Sequence, residues 1–299
     1  MTRAVVLSGY GGPEVLVEAD VPTPSPGPGQ VLIAVRAIGL NPFDVKVRSG
    51  AFRDVMPLDL PAVLGLEAAG VVVESTVDDF AVGDEVFGLV DGGAYAERAL
   101  ATAVARKPVG LDWSLAAALP VAVEVTGRVL RALDVAQGET VLVNGAAGAV
   151  GTIAVQMSVA RGARVVGTAG DANQDHLRSL GATPVRYGAG LVDRVREISP
   201  GGVDAVFDVA GRGALPDSIA LAGGPDRVVT IADPEAERHG VRFSGGAEPD
   251  PGEFAAVAEA VAAGRFTVTI DRTFPLSEAA AAHAWLEAGH TRGKSILLP

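Results

Sequence analysis

The stretch VLVNGAAGAVGTIAVQMSVARGARVVGTAG, residues 141 to 170, decides how the chain folds. Its first residues form an apolar, partly β-branched run suited to a buried central strand. GAAGAVG then turns the chain, AVGTIAVQMSVARG has the spacing of an amphipathic helix, and ARVVGTAG reads as the next strand. A glycine-rich turn between a strand and a helix aims backbone N–H groups and the helix N-terminus at a pyrophosphate. Here Gly148 permits close approach, Gly151 lets the helix pack tightly on the strand, and the backbone of Ala147, Gly148, Ala149 and Val150 is the candidate cradle. The glycines fall at 145, 148 and 151, so the run departs from a strict Gly-x-Gly-x-x-Gly at Ala146. A tight structural turn is the competing reading.

Outward from this turn, short β-rich runs fill the chain to about residue 110: RAVVLS, QVLIAVRAIGL, AAGVVVEST, DEVFGLV and YAERALA, separated by turn signals such as PTPSPGPGQ. They predict a small barrel or sandwich. From LDWSLAAALPVAVEVTGRVLRALDV onward, helical spacing alternates with the strand candidates TVLVNG, ARVVGTA, PVRY, VDAVFDVAG, DRVVTIA and GVRFSG. That alternation marks an α/β doubly wound parallel sheet. The tail gives helix PGEFAAVAEAVAAG, strand FTVTIDRTFPL, helix SEAAAAHAWLEAG and a last strand KSILLP, with no internal repeat.

The 299 residues are 48% hydrophobic, enough for one large or two ordinary cores. A net charge of −12 without a basic stripe repels phosphate backbones and anionic lipid, so nucleic acid is not an expected partner. The absence of cysteine removes disulfides, thiolate zinc sites, iron–sulfur clusters and cysteine nucleophiles, and fits a cytoplasmic chain. MTRAVVLSGYGGPEVL lacks the apolar core of a signal segment, and no apolar run is read as long enough to cross a bilayer, so no membrane partner is expected. Neither Gly-x-Ser-x-Gly nor His-Glu-x-x-His occurs.

Together with VLVNGAAGAVG, the stretches LNPFDVKVRSG, LGLEAAGVV, GDEVFGL, GGAYAERA, AAALPVAVEVTG and FPLSEAAAAHAWLEAGHTRGKSILLP resemble the zinc-independent medium-chain dehydrogenase/reductases of the quinone oxidoreductase type. The resemblance runs through the whole chain in order. It implies a β-rich GroES-like catalytic domain, residues 1–115 completed by 265–299, and a Rossmann dinucleotide-binding domain, residues 116–264. It also implies NADPH bound between the domains and a homodimer. Asn41, Leu66 and Ala122 stand where zinc-dependent relatives place their three catalytic zinc ligands, so no metal is expected. His176, His239, His283 and His290 are scattered without metal spacing, and surface or partly packed imidazoles are expected.

Without a Lewis acid to stabilise an alkoxide, an already electrophilic acceptor is favoured: a quinone, or an α,β-unsaturated carbonyl. Negative charge developing on the carbonyl oxygen must be met by a donor. The candidates are Asn41 as a neutral donor, which the resemblance implies lies near the nicotinamide, and Lys46 as a cation or proton source, with Asp44 orienting either. The alternative for Asp44 and Lys46 is a solvent-facing pair, and water can also supply the proton. An enoyl or alkenal reductase and a non-catalytic NADPH sensor remain the rival functions.

Cofactor choice turns on the end of the second strand of the sheet. In GTAGDANQDHL, Gly170 matches the family's small residue, Gln174 replaces its phosphate-binding lysine, and Asp171 brings a negative charge; Tyr187 matches a family tyrosine used at the phosphate. Loss of one charge-assisted hydrogen bond weakens preference for the 2′-phosphate by about one to two orders of magnitude, so NADPH leads and NADH is possible. Asp171 as a helix cap and Tyr187 as packing are the structural alternatives. The resemblance places Thr126 near the nicotinamide. Ala210, Gly211 and Ile231 are strand termini, where ligands of open sheets gather, and Phe243 and Gly245 complete the pocket through backbone groups. Tyr95 is read as structural. Phe52 and Met56 either line an apolar slot or pack the barrel.

Overall fold

Strands of Val, Ile, Leu and Ala open the chain and return at its end: β1 (Thr2–Leu7), β2 (Leu16–Val21), β3 (Val31–Gly39), β4 (Ala62–Val63), β5 (Glu67–Ser75), β6 (Glu85–Asp91), β7 (Arg98–Arg106), β14 (Ile270–Pro275) and β15 (Lys294–Leu298). These belong to a computed structural model that describes residues 1–289 and 291–299. The chain packs as two compact units, residues 1–121 with 249–299, and residues 122–248.

In the first unit the strand order is β14-β15-β3-β5-β6-β7, and β3 pairs with β7 as well as β5, so the sheet closes on itself. The reading of barrel or sandwich thus resolves to a barrel. Val31, Ile33, Val35, Val72, Val86 and Val104 belong to its buried core. Helix α1 (Pro42–Ser49) follows β3, and α9 (Ala279–Ala288) precedes β15.

The long apolar stretch after residue 112 is two helices, α2 (Trp113–Ala117) and α3 (Pro120–Ala132), because Pro120 starts the second. The expectation that no apolar run reaches bilayer-spanning length is corrected here. Trp113–Ala132 passes by length and composition, but 72% of that window is buried inside the protein, as in a core helix.

The second unit carries β8 (Thr140–Asn144), β9 (Arg164–Ala169), β10 (Thr183–Arg186), β11 (Ala205–Asp208), β12 (Val228–Thr230) and β13 (Arg242–Phe243). All pairings are parallel, in the order β10-β9-β8-β11-β12-β13. Numbered from its own first strand this is the 3-2-1-4-5-6 order of a dinucleotide-binding sheet, with the switch point between β8 and β11. Helices α4 (Ala149–Ala160), α5 (Gln174–Ser179), α6 (Leu191–Ile198) and α7 (Leu215–Ala222) connect the strands. Helix α4 has the spacing of an amphipathic helix, but every residue from Gly151 to Ser158 is buried. Its polar side chains, Thr152, Gln156 and Ser158, are buried together with the apolar ones.

The expected boundary at residue 264 also shifts. Helix α8 (Pro251–Ala262) belongs to the first unit, where Phe254 is buried with its ring centroid 6.4 Å from that of Phe87. An apolar helix follows the surface that buries it, and the alternation of strands and helices could not show which surface that was.

Candidate nucleotide site and buried polar centre

The turn after β8 is built as its sequence demands. Gly145 has φ +78°, open to glycine without strain. A Cβ on Gly151 would lie 2.2 Å from the Gly145 carbonyl oxygen, whereas one on Gly148 would meet nothing closer than that oxygen at 3.6 Å. Gly151 is therefore required by packing, and Gly148 leaves space. Gly148 is the N-cap of α4 and provides no side-chain cap. The first-turn N–H groups of that helix, those of Ala149 and Val150 among them, have no acceptor within the helix. With the helix dipole they make an anion cradle at the C-terminal edge of the sheet.

At the end of β9, Gly170 and Tyr187 face each other: a Cβ on Gly170 would lie 3.6 Å from the tyrosine hydroxyl. Tyr187 is 60% exposed, which sets aside the packing alternative. Asp171 is exposed and caps nothing with its side chain. The N-cap of α5 is Asn173, and Asp171 lies 3.5 Å from Nη1 of Arg186. Gln174 turns inward, its Nε2 donating to the carbonyl of Ala169 at 2.9 Å. Arg186 immediately precedes Tyr187 and carries no motif signal of its own.

Nearer the switch point, Asp208 at the end of β11 is fully buried. It accepts from the Thr230 hydroxyl at 2.7 Å and from the backbone N–H groups of Ala210 and Gly211. Burial pushes its carboxyl above the usual aspartate range. The Ala210 N–H, a candidate cofactor contact, is thus engaged by Asp208, and the Ile231 N–H donates to the Asp208 carbonyl. Thr126 is fully buried, and its hydroxyl has no hydrogen-bond partner. Phe243 is 51% exposed, and the Gly245 carbonyl accepts weakly from Arg128 at 3.5 Å. Arg128 is itself buried, paired with Glu124 at 2.7 Å and donating to the Ser244 hydroxyl.

The first unit holds a connected set of buried polar groups around Asn41, the residue that starts α1. Lys294 and Glu67 form an ion pair with almost no exposure. The Lys294 ammonium also donates to Oδ1 of Asn41 at 2.7 Å, and Nδ2 of Asn41 donates to Glu67 at 2.9 Å. An ammonium can only donate, so the orientation of the Asn41 amide is fixed. The other Glu67 oxygen accepts from the backbone N–H of Val121 at 2.8 Å. The second Nδ2 hydrogen has only a long 3.5 Å contact to the Gly39 carbonyl.

Asp44 and Lys46 are not the solvent-facing pair considered from sequence. Lys46 is exposed, whereas Asp44 is buried, accepting from the Asn41 N–H at 2.9 Å and from the Tyr95 hydroxyl at 3.0 Å. One turn of helix points residues 44 and 46 in different directions. Burial raises the Asp44 carboxyl to about 7. On its other side the Tyr95 hydroxyl lies 2.9 Å from Nε2 of His283, which is wholly buried rather than partly packed. With Tyr95 donating to Asp44, His283 must donate from Nε2, leaving Nδ1 as a bare lone pair, and Nδ1 has no partner. Protonation would create an N–H with no acceptor, and burial lowers the imidazole to about 4. Arg48, also buried, pairs with Glu287 at 2.5 Å, and Phe52 stacks on Phe43 at 5.4 Å while Met56 is exposed. Tyr95 therefore braces α1 from within the core.

A zinc ion does not fit this centre. The oxygens of Asn41 and Glu67 already face a fixed ammonium, which would repel a second cation. Among the described residues no three His, Asp or Glu side chains converge on one point. His290 lies outside the described residues.

Comparison with known proteins places these features. Residues 27–110 match the alcohol dehydrogenase GroES-like domain and residues 180–297 the zinc-binding dehydrogenase model. Over 100% of this chain and 99% of its own length, a 2-haloacrylate reductase from Burkholderia sp is 33% identical. The quinone oxidoreductase of Pseudomonas aeruginosa is 32% identical over 100% of both chains. The chain belongs to the medium-chain dehydrogenase/reductase family, zinc-independent type.

Further members of that family share the fold. The NADPH-dependent alkenal/one oxidoreductase, chloroplastic, of Arabidopsis thaliana is 32% identical, covering 99% of this chain and 79% of its own. Among solved structures, the quinone oxidoreductase of Coxiella burnetii superposes with a TM-score of 0.87 at 31% identity, covering 100% of this chain and 99% of its own. A mycobacterial protein complexed with NADPH superposes with a TM-score of 0.83 at 30% identity over 100% of both chains. In this quinone oxidoreductase-type chain, the β-rich unit is the GroES-like part and the parallel sheet is the Rossmann part.

Proposed function

We propose that the protein is an NADPH-dependent oxidoreductase that reduces a quinone or a related electrophilic carbonyl acceptor without a metal. The observation that carries this reading is end-to-end likeness to reductases named for quinones, alkenals and enones, and 2-haloacrylate. Those acceptors share an electron-poor double bond conjugated to a carbonyl or carboxylate. The chemistry supplied by bound NADPH is hydride donation to such a carbon.

The residues in place suit that cofactor. Uncapped N–H groups at α4, room at Gly148 and the orphaned Thr126 hydroxyl offer unspent hydrogen-bonding capacity to a dinucleotide. In this reading Ala147–Val150 hold the pyrophosphate, Gly170 and Tyr187 the ribose phosphate, and Ala210, Ile231, Phe243 and Gly245 the nicotinamide end. Asn41 presents its second amide hydrogen to the oxygen on which charge develops, its amide being oriented by Lys294 and Glu67. Asp44 is spent on the start of α1, so it serves as a positioning residue, and Lys46 or water supplies the proton. A homodimer in the cytoplasm completes the proposal.

The test is product analysis with NADPH and two acceptors of similar size, one a quinone and one an enone. Hydroquinone formed at the higher kcat/KM supports the quinone reading. Saturated ketone at the higher kcat/KM makes the protein a double-bond reductase, and cofactor bound without any turnover makes it a sensor.

A further inference from the structure

Arg186 ends β10 directly beside Ala169 of β9, the residue before Gly170. Its guanidinium is 66% exposed, and Asp171, its ion-pair partner at 3.5 Å, is 74% exposed, so the contact is loose and easily exchanged. The carbonyls that follow it are held firmly. Arg194 donates to the backbone oxygens of Arg186 at 3.1 and 2.9 Å, of Gly188 at 2.9 Å and of Ala189 at 2.8 Å. Arg194 is thereby spent on holding the loop, and that loop presents the Tyr187 hydroxyl toward Gly170. Gln174 is spent on the Ala169 carbonyl, and Asp175 on Arg178 at 2.6 Å. The Arg178–Asp175 pair is closed within its own helix at 2.6 Å, whereas Arg186 and Asp171 face solvent at the end of β9 with only the looser 3.5 Å contact between them.

Resting on the proposed NADPH reading, we propose that Arg186 is the residue that determines cofactor specificity. It leaves Asp171 to clamp the 2′-phosphate together with the Tyr187 hydroxyl. Asp171 is its competitor, repelling the phosphate and offering a ligand to the ribose hydroxyls of NADH. A guanidinium supplies planar, paired donors that match a phosphate, which the glutamine at 174 cannot. Selectivity is then a contest between two neighbouring side chains, and NADPH wins by a modest margin.

Calorimetric titration of the full chain with 2′,5′-ADP and with 5′-AMP tests this without any turnover, since the two ligands differ only in the phosphate at issue. Wild-type protein should bind 2′,5′-ADP more tightly. R186Q should lose about tenfold or more of that affinity while its 5′-AMP affinity stays within about twofold, and R186K should keep part of it. D171N should tighten 2′,5′-ADP binding. Undiminished 2′,5′-ADP binding by R186Q overturns the proposal. So does equal binding of the two ligands by the wild type, which leaves an NADH-using reductase standing. Binding of neither fragment nor intact cofactor by the wild type overturns the oxidoreductase reading along with it.

Discussion

Lys294 and Glu67 place two full charges where there is almost no water, and each is tolerable only because of the other. Removing one partner leaves a buried charge unpaired, so K294M should lose about 3–5 kcal/mol of stability in urea. E67Q/K294M, which leaves no charge behind, should recover most of that loss. A K294M protein as stable as the wild type would contradict the pairing. Asp44 and His283 set a second test. The folded Asp44 carboxyl titrates near 7 instead of 3.8, so its stabilising contribution is complete below about 4 and lost as pH rises through 7. The folded His283 imidazole titrates near 4 instead of 6.5, so its contribution is complete above 6.5 and lost as pH falls through 4. Between about 4 and 6.5 the two slopes, each at most about 1.4 kcal/mol per pH unit, oppose and largely cancel. Urea melts of D44N across that range should show stability rising with pH, whereas the wild type stays nearly flat; matching profiles would refute it. The sequence pointed to Asn41 and Asp44 through the family-like stretch LNPFDVKVRSG, but not to their partners, which come from 26 to 253 residues away. One clue was available: Glu67 sits inside an apolar strand run, and a carboxylate buried there must find a cation.

The strand–turn–helix at 140–160 was legible because its glycines do different jobs that geometry separates. G151A forces a methyl to within 2.2 Å of the Gly145 carbonyl oxygen and should cost about 1–3 kcal/mol. G148A has room and an ordinary backbone conformation, φ −76°. Its melting midpoint should stay close to that of the wild type while affinity for NADPH falls about tenfold, because the methyl stands where the pyrophosphate must approach. Comparing denaturant midpoints with cofactor titration for the two variants checks this. Equal loss of stability in both would mean that Gly148 too is a packing glycine. Other elements were harder to read. The helical spacing from residue 113 onward did not show the break before Pro120, because Ala118 and Leu119 keep the apolar pattern between α2 and α3. Helix α4 looked amphipathic because Thr152, Gln156 and Ser158 are polar, yet all three are buried. Periodicity reports polarity and not exposure, and a small polar side chain can return its hydrogen bond to its own helix, as Gln156 does to the Thr152 carbonyl.

At the scale of the whole chain, the order of elements was clear and the ownership of one was not. Alternating strands and helices gave the parallel sheet, and dense turn signals gave a barrel or sandwich, which the pairing of β3 with β7 resolves to a barrel. Helix α8 follows the last strand of the sheet yet packs on Phe87 of the barrel, a partner that lies 167 positions earlier (254 minus 87). Each unit brings its own chemistry: the parallel sheet an anion cradle at the start of α4, and the β-rich unit an amide oriented by a buried ammonium. The most direct test is oxidation of NADPH by purified, EDTA-treated protein in the presence of a simple quinone, with NADH run in parallel. Rapid, quinone-dependent loss of NADPH absorbance that exceeds the loss of NADH is expected. Activity that disappears with EDTA and returns with added zinc would contradict the metal-free site, and consumption of neither cofactor with any acceptor would contradict the reductase itself.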